Sequence, residues 1–137
     1  LYTSIIPNLL VDGIADAIRD SKALKLYVCN VMTQEGETEG YTVSDHIQAL
    51  FSHSYPRLFP LCLTNSRPIP ACIARRYAQE GAEPIYHDTE KCRALGVELI
   101  ERPIASLENG LVRHNPGHLA HELMTIYEEY TSQKDPT

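Results

Sequence analysis

Asn30, Thr33, Gln34, Glu37, Thr38 and Tyr41 crowd into one short stretch, VCNVMTQEGETEGYTVSDH, residues 28 to 46. Together they offer amide, hydroxyl, carboxylate and phenol groups, and Gly36 and Gly40 let backbone amides approach a ligand closely. That set suits a polar ligand such as a phosphate or a sugar. A connection from strand to helix needs only a few residues, so a polar run of this length calls for a purpose beyond connection. The plainer alternative is a solvated loop whose Thr and Glu side chains satisfy its own backbone. Asn65, at the end of the apolar run LFPLCLTN, is a further polar group at a strand end. Asp45 and His46 invite acid-base chemistry, but Thr42 and Asp45 stand at the T-x-x-D spacing of a capping box, which gives Asp45 a structural task. The chain has no Ser-His-Asp order, nucleophile elbow or phosphate-binding P-loop.

These side chains need elements to hold them. Leu10, Val11, Ile14, Ala17 and Ile18 recur at helical spacing after Pro7, predicting a helix with one buried face. LKLYVCNVM is almost wholly apolar, as expected of a central strand covered on both sides. A helix through DHIQALFSH follows the capping box, and LFPLCLTN predicts a second strand ending near Asn65, with Pro60 unable to donate to a ladder. SRPIPACIARRYAQEG predicts a helix with Ile69, Ile73 and Tyr77 on one face, closed by Gly81. EPIYHD then predicts a short strand, TEKCRALG a short helix ended by Gly96, and VELIERPI another strand. The last helix takes Asn115 as cap and Pro116 as first residue, with Leu119, Leu123, Ile126, Tyr127 and Tyr130 on one face. The tail SQKDPT is expected to fray. Strands alternating with helices imply a parallel-rich sheet between helical layers, an α/β fold. In such sheets ligands sit beyond the carboxyl ends of the strands, where the stretch after Val28 and Asn65 both fall.

Bulk properties set limits. With 137 residues and 43% hydrophobic content, the expectation is one domain over residues 1–137. A net charge of −6 argues against a broad grip on nucleic acid or an anionic membrane, while leaving room for a local basic pocket. No apolar run is long enough for a membrane span, and no signal segment is evident. Cys29, Cys62, Cys72 and Cys92 form no C-x-x-C pair, which fits a reducing cytoplasm. Opening on Leu1 rather than Met, the sequence is expected to be a piece of a longer protein.

Several blocks carry a resemblance: LYTSIIPNLLV, then YVCNVMTQEGETEGYTVSDH, TNSRPIP, RRYAQEGAEPI and LVRHNP, at these separations. The chain resembles the C-terminal part of the CofD-like superfamily, and within it the YvcK-type gluconeogenesis factors. Two departures stand out. Glu35 replaces the usual Pro, losing a turn stiffener, and Asn115 replaces the usual Asp, keeping the capping chemistry without the charge. The family's N-terminal glycine-rich nucleotide turn, and the Gly-Pro-Gly-Ser turn before the LYTS segment, are not in this chain. The resemblance therefore implies one wall of a ligand cleft in a Rossmann-type α/β/α domain.

The resemblance also links Tyr77 and Arg113 to nucleotide-sugar binding. Tyr77 can stack on a base or bond a ribose, or simply anchor its helix; Arg113 can take a diphosphate with two prongs, or be a plain surface arginine. His114, His118 and His121 raise zinc, but no acidic or Cys cluster lies nearby at ligand spacing, so His114 goes to the ligand pocket and the others to a partly exposed helix face. The candidate binding set is thus Asn30, Thr33, Gln34, Thr38, Asn65, Tyr77, Arg113 and His114, with no catalytic residue and no metal. The implied function is a regulatory protein that binds a UDP-sugar and acts on central carbon metabolism and on cell shape or envelope, with room for a protein partner and no cofactor. The alternative is a transferase that moves a phospholactyl group from a nucleotide diphosphate carrier to a deazaflavin.

Overall fold

A computed structural model describes residues 1–132. Three parallel strands, β1 (Leu26–Val28), β2 (Leu61–Asn65) and β3 (Glu98–Arg102), form a sheet in the order β1-β2-β3. Tyr27 lies beside Cys62, and Leu63 beside Ile100. Because side chains alternate across a pleat, β2 feeds two cores. On one face Cys62 joins Tyr27, Cys29, Phe59 and Cys92 with Ile47 and Leu50 of α3 (Val43–Ser52), against which α5 (Thr89–Ala94) also packs. On the other, Leu61, Leu63 and Ile100 meet Leu119, Leu123 and Ile126 of α6 (Pro116–Ser132). This is the expected parallel sheet between helical layers.

The predicted capping box forms. Thr42 N donates to Asp45 Oδ2 at 2.9 Å, and Asp45 N to Thr42 Oγ1 at 3.4 Å. A second carboxylate reinforces it from 44 residues along the chain: Asp88 accepts from Ser44 N at 2.9 Å, from the Thr42 hydroxyl at 2.6 Å, and from the Ser44 hydroxyl. Burial opposes ionisation of Asp88, but these donors prevail and its pKa falls below the ordinary value. Behind the cap, Ile47, Leu50 and Phe51 are buried, each contributing about 1.5–3 kcal/mol.

His46 sits in the same helix, fully enclosed. Its Nδ1 donates to Thr42 O at 2.8 Å, the Tyr41 ring meets it edge-on at 5.7 Å, and Nε2 has no partner among the described residues. The ring is therefore held neutral, and burial lowers its pKa. Below the unfolded-state pKa of about 6.5 the unfolded chain takes up a proton that the folded one refuses, so stability falls with falling pH. Denaturant unfolding should give a constant midpoint above that value and a declining one below it, through the window down to the lowered folded-state pKa. His46→Gln, which cannot titrate, should lose that decline; an unchanged slope would show that another group causes it.

Several elements differ from the expectations. The first predicted helix is two short ones, α1 (Ile6–Leu9) and α2 (Ile14–Asp20), parted at Gly13 with φ +87°. Leu10 and Val11 lie in the break and are exposed, and α2 buries no residue fully. Helical spacing alone does not see a left-handed glycine. β1 is not central but an edge of the described sheet, and the central place falls to β2. EPIYHD forms no sheet strand; it makes one antiparallel bridge, Met32 with Pro84. Ile69 precedes α4 (Ala71–Gln79) rather than joining its face, and α4 has no fully buried residue. The stretch from Pro103 to Asn115, read as a connection, folds back as a hairpin of β4 (Ala105–Ser106) and β5 (Arg113–His114). On α6, Tyr127 faces solvent instead of the sheet. Of the tail, residues 133–137 lie outside the described residues.

The four thiols are free. Cys29, Cys62 and Cys92 are buried and Cys72 is exposed. Burial, with Asp88 beside it, pushes the Cys92 pKa up to about 12, and the adjoining Cys29 thiol with burial raises Cys62 further. A thiol reagent should label Cys72 alone in the folded protein and all four after denaturation, with equal counts with and without reductant. A lower count without reductant would mean that a disulfide forms.

Candidate ligand-binding site

A cavity of about 340 Å³ opens beyond the C-terminal end of β1. It is lined by Asn30, Val31, Met32, Thr33 and Gln34 from one segment, Tyr77 from α4, and Val112, Arg113 and His114 from the hairpin. Six of the eight candidate residues thus converge from three regions distant in sequence. Among the described residues no acidic side chain lines it, although the chain carries a net charge of −6.

Each wall has its own anchor. Residues 31–33 are held against residues 83–85: Thr33 N donates to Glu83 O at 2.8 Å, Ile85 N to Val31 O at 3.0 Å, and Glu83 N to Thr33 Oγ1 at 2.9 Å. Thr33 is accordingly buried. Beyond it the chain turns back, with Thr38 N donating to Gln34 O and Gln34 N to Thr38 Oγ1, both at 2.9 Å. Thr38 is fully enclosed and does not reach the cavity; it holds the loop that presents Gln34. Glu37 points away from the cavity, accepting from Tyr2 N and from Thr3 N at 2.9 Å. Burial works against its ionisation, yet the Tyr2 amide and its neighbours lower its pKa overall.

The hairpin is tethered at both ends. His114 Nε2 donates to Cys29 O at 3.2 Å, Asn115 N to Ile104 O at 2.7 Å, and Val112 N to the Tyr77 hydroxyl at 2.8 Å. Tyr77 therefore has a role that helical spacing could not reveal: its hydroxyl oxygen supports the backbone beside Arg113. Arg76 reaches the same hairpin, donating to Gly110 O. Arg113 itself pairs with Ser106 only through its strand, and its side chain is exposed. Asn115 Oδ1 accepts from His118 N at 3.0 Å, capping α6 as expected.

Asn65 stands apart from this cavity, at a second one lined in part by Arg67, Ile69 and Tyr86. Its amide is committed to backbone. Oδ1 accepts from Arg67 N, Ile104 N and Ala105 N at 3.0, 3.2 and 3.0 Å, and Nδ2 donates to Arg67 O at 2.8 Å. Sequence reasoning overlooked Arg67, which lies in the TNSRPIP block two residues past a strand end and was within reach of the same rule about ligands beyond strand termini.

The first cavity combines a guanidinium with uncharged amides, donors suited to an anion, while the His114 N–H is taken by Cys29 O. Among the described residues no nucleophile lining it is paired with a base. Residues 1–105 match the family described as 2-phospho-L-lactate transferase CofD. The chain is 44% identical over 124 residues to a gluconeogenesis factor of Halalkalibacterium halodurans, covering 90% of this chain and 38% of that protein. It is 42% identical over 129 residues to the gluconeogenesis factor of Bacillus subtilis, covering 94% and 41%. It superposes on the crystal structure of protein BH3568 from Bacillus halodurans with a TM-score of 0.86 at 43% identity, covering 90% of this chain and 40% of that one. The same protein has been solved as a member of the upf0052 family, with a TM-score of 0.84. The chain spans about two fifths of the length of these relatives.

Proposed function

This chain belongs to the CofD-like family, in its gluconeogenesis-factor branch, and on that premise we propose that it forms one wall of a nucleotide-sugar site in a regulatory protein. The observation that carries this reading is the Arg113 cavity, rich in donors and without a carboxylate in an otherwise acidic chain. Arg113 takes the diphosphate, the Asn30 and Gln34 amides complete its donors, His114 holds the hairpin in place through Cys29 O, and Tyr77 borders the ribose or sugar. The ligand in this proposal is a UDP-sugar, the setting is the cytoplasm, and no other cofactor is needed. The chain acts as one α/β unit of a longer protein. Ligand occupancy then feeds into control of central carbon metabolism and of cell shape or envelope, through a protein partner. Among the described residues no helix is long and apolar enough to cross a membrane.

The family's description as a 2-phospho-L-lactate transferase favours a second reading, in which a phospholactyl group would pass from a nucleotide diphosphate carrier to a deazaflavin. A thermal-shift screen of the full-length protein against UDP-sugars and other nucleotide diphosphates separates the two. A ligand at 100 times its Kd adds about 2.7 kcal/mol, so a UDP-sugar should raise the melting temperature clearly. No shift with any of them overturns the binding reading, and turnover of a deazaflavin acceptor would establish the transferase.

A further inference from the structure

The second cavity, about 480 Å³, lies beyond the end of β2 and shares Val31 with the Arg113 cavity. The ladder between residues 31–33 and 83–85 ties the two walls together, because Pro84 to His87 continue directly from it. We infer that this cavity is the subsite for the planar base of the nucleoside diphosphate whose phosphates Arg113 holds, with the ring lying against Tyr86 and the Arg67 guanidinium. The inference rests on the nucleotide-sugar reading of the first cavity.

Three features carry it. First, a nucleoside diphosphate sugar strings base, ribose, diphosphate and sugar in a row, so its base lies at a distance from the phosphates that Arg113 holds. A second, adjoining space is needed, and this one adjoins. Second, its surface suits a flat ring better than a sugar. Pro68, Ile69 and Pro84 give apolar walls, and the Asn65 amide that could have bonded hydroxyls is spent on backbone. His87 Nδ1 is likewise taken, by Glu101 at 2.7 Å. Arg67 donates one N–H to Ala105 O at 3.1 Å, which anchors the guanidinium while leaving other donors for the carbonyl oxygens of a base. Third, Tyr86 is 72% exposed, although the next residue back, Ile85, is buried. A stiff aromatic ring held out at the mouth of a cavity is a stacking platform, and every base has a face to stack.

The test is calorimetry on the full-length protein with two probes, UDP-glucose and inorganic pyrophosphate. Tyr86→Ala should weaken UDP-glucose by roughly 5- to 150-fold, the range of one base-aromatic stack, and leave pyrophosphate affinity and melting temperature unchanged. Tyr86→Phe, which keeps the ring, should bind like the parent. If Tyr86→Ala binds UDP-glucose as the parent does while Arg113→Ala loses it, the base lies elsewhere and the diphosphate reading survives. Equal loss for both probes, or equal loss in the Phe and Ala variants, also overturns the stacking subsite. A parent that binds neither probe removes both readings at once.

Discussion

Arg113→Ala in the full-length protein is expected to weaken nucleotide-sugar binding by about 1.5–3 kcal/mol, the worth of a hydrogen bond to a charged group, which is roughly 10- to 150-fold in Kd. The fold should not change, because the side chain is exposed and its strand partner, Ser106, is engaged by backbone alone. Arg113→Lys should recover only part of the loss, since an ammonium keeps the charge but not the planar fork. Binding by the parent should weaken with added salt. An Arg113→Ala variant that binds UDP-sugars as tightly as the parent, at an unchanged melting temperature, would show that the diphosphate is held elsewhere. Tyr77→Phe is less diagnostic than its chemistry promises. The hydroxyl accepts from Val112 N, so its loss loosens the strand carrying Arg113 as well as any ligand contact.

Asn65→Ala should have the larger effect on stability, about 2–4 kcal/mol by denaturant unfolding. Three backbone amides lose one shared acceptor, and a carbonyl loses a donor. An unpaired group costs about 1–3 kcal/mol when buried, and water re-entering this half-buried site offsets part of that sum. Asn65→Asp keeps the acceptor for all three amides but sets a carboxylate oxygen against Arg67 O, so roughly half the loss is expected. Because Ile104 and Ala105 open the hairpin that carries Arg113, ligand affinity should fall with Asn65→Ala too. An Asn65→Ala variant as stable as the parent would mean that solvent replaces every one of these bonds.

Features with local causes were legible in the chain. The Thr42 and Asp45 capping box, Asn115 and Pro116 at the start of α6, and the end of β2 at Asn65 all stand where spacing puts them. Each depends on a hydrogen bond or a φ preference spanning three or four residues, so neighbours in sequence suffice to specify it. The family blocks likewise marked Tyr77 and Arg113, which line one cavity with Asn30, Thr33, Gln34 and His114. Other features needed partners remote in sequence. Asp88 joining the cap of α3, Asn65 bonding Ile104 and Ala105, Tyr77 supporting Val112 and Glu83 pairing with Thr33 each join residues 35 to 50 positions apart. So does the split between surface and core. Leu10, Val11 and Tyr127 read as buried by periodicity yet face solvent, because burial depends on what packs opposite. A strand's local pattern also says that it is apolar but not which neighbour it takes, and that is why β1 read as central and lies at an edge. Local bonds chose the elements; only packing, where each polar group must find a partner wherever the chain brings one, decided how they meet at the cavity.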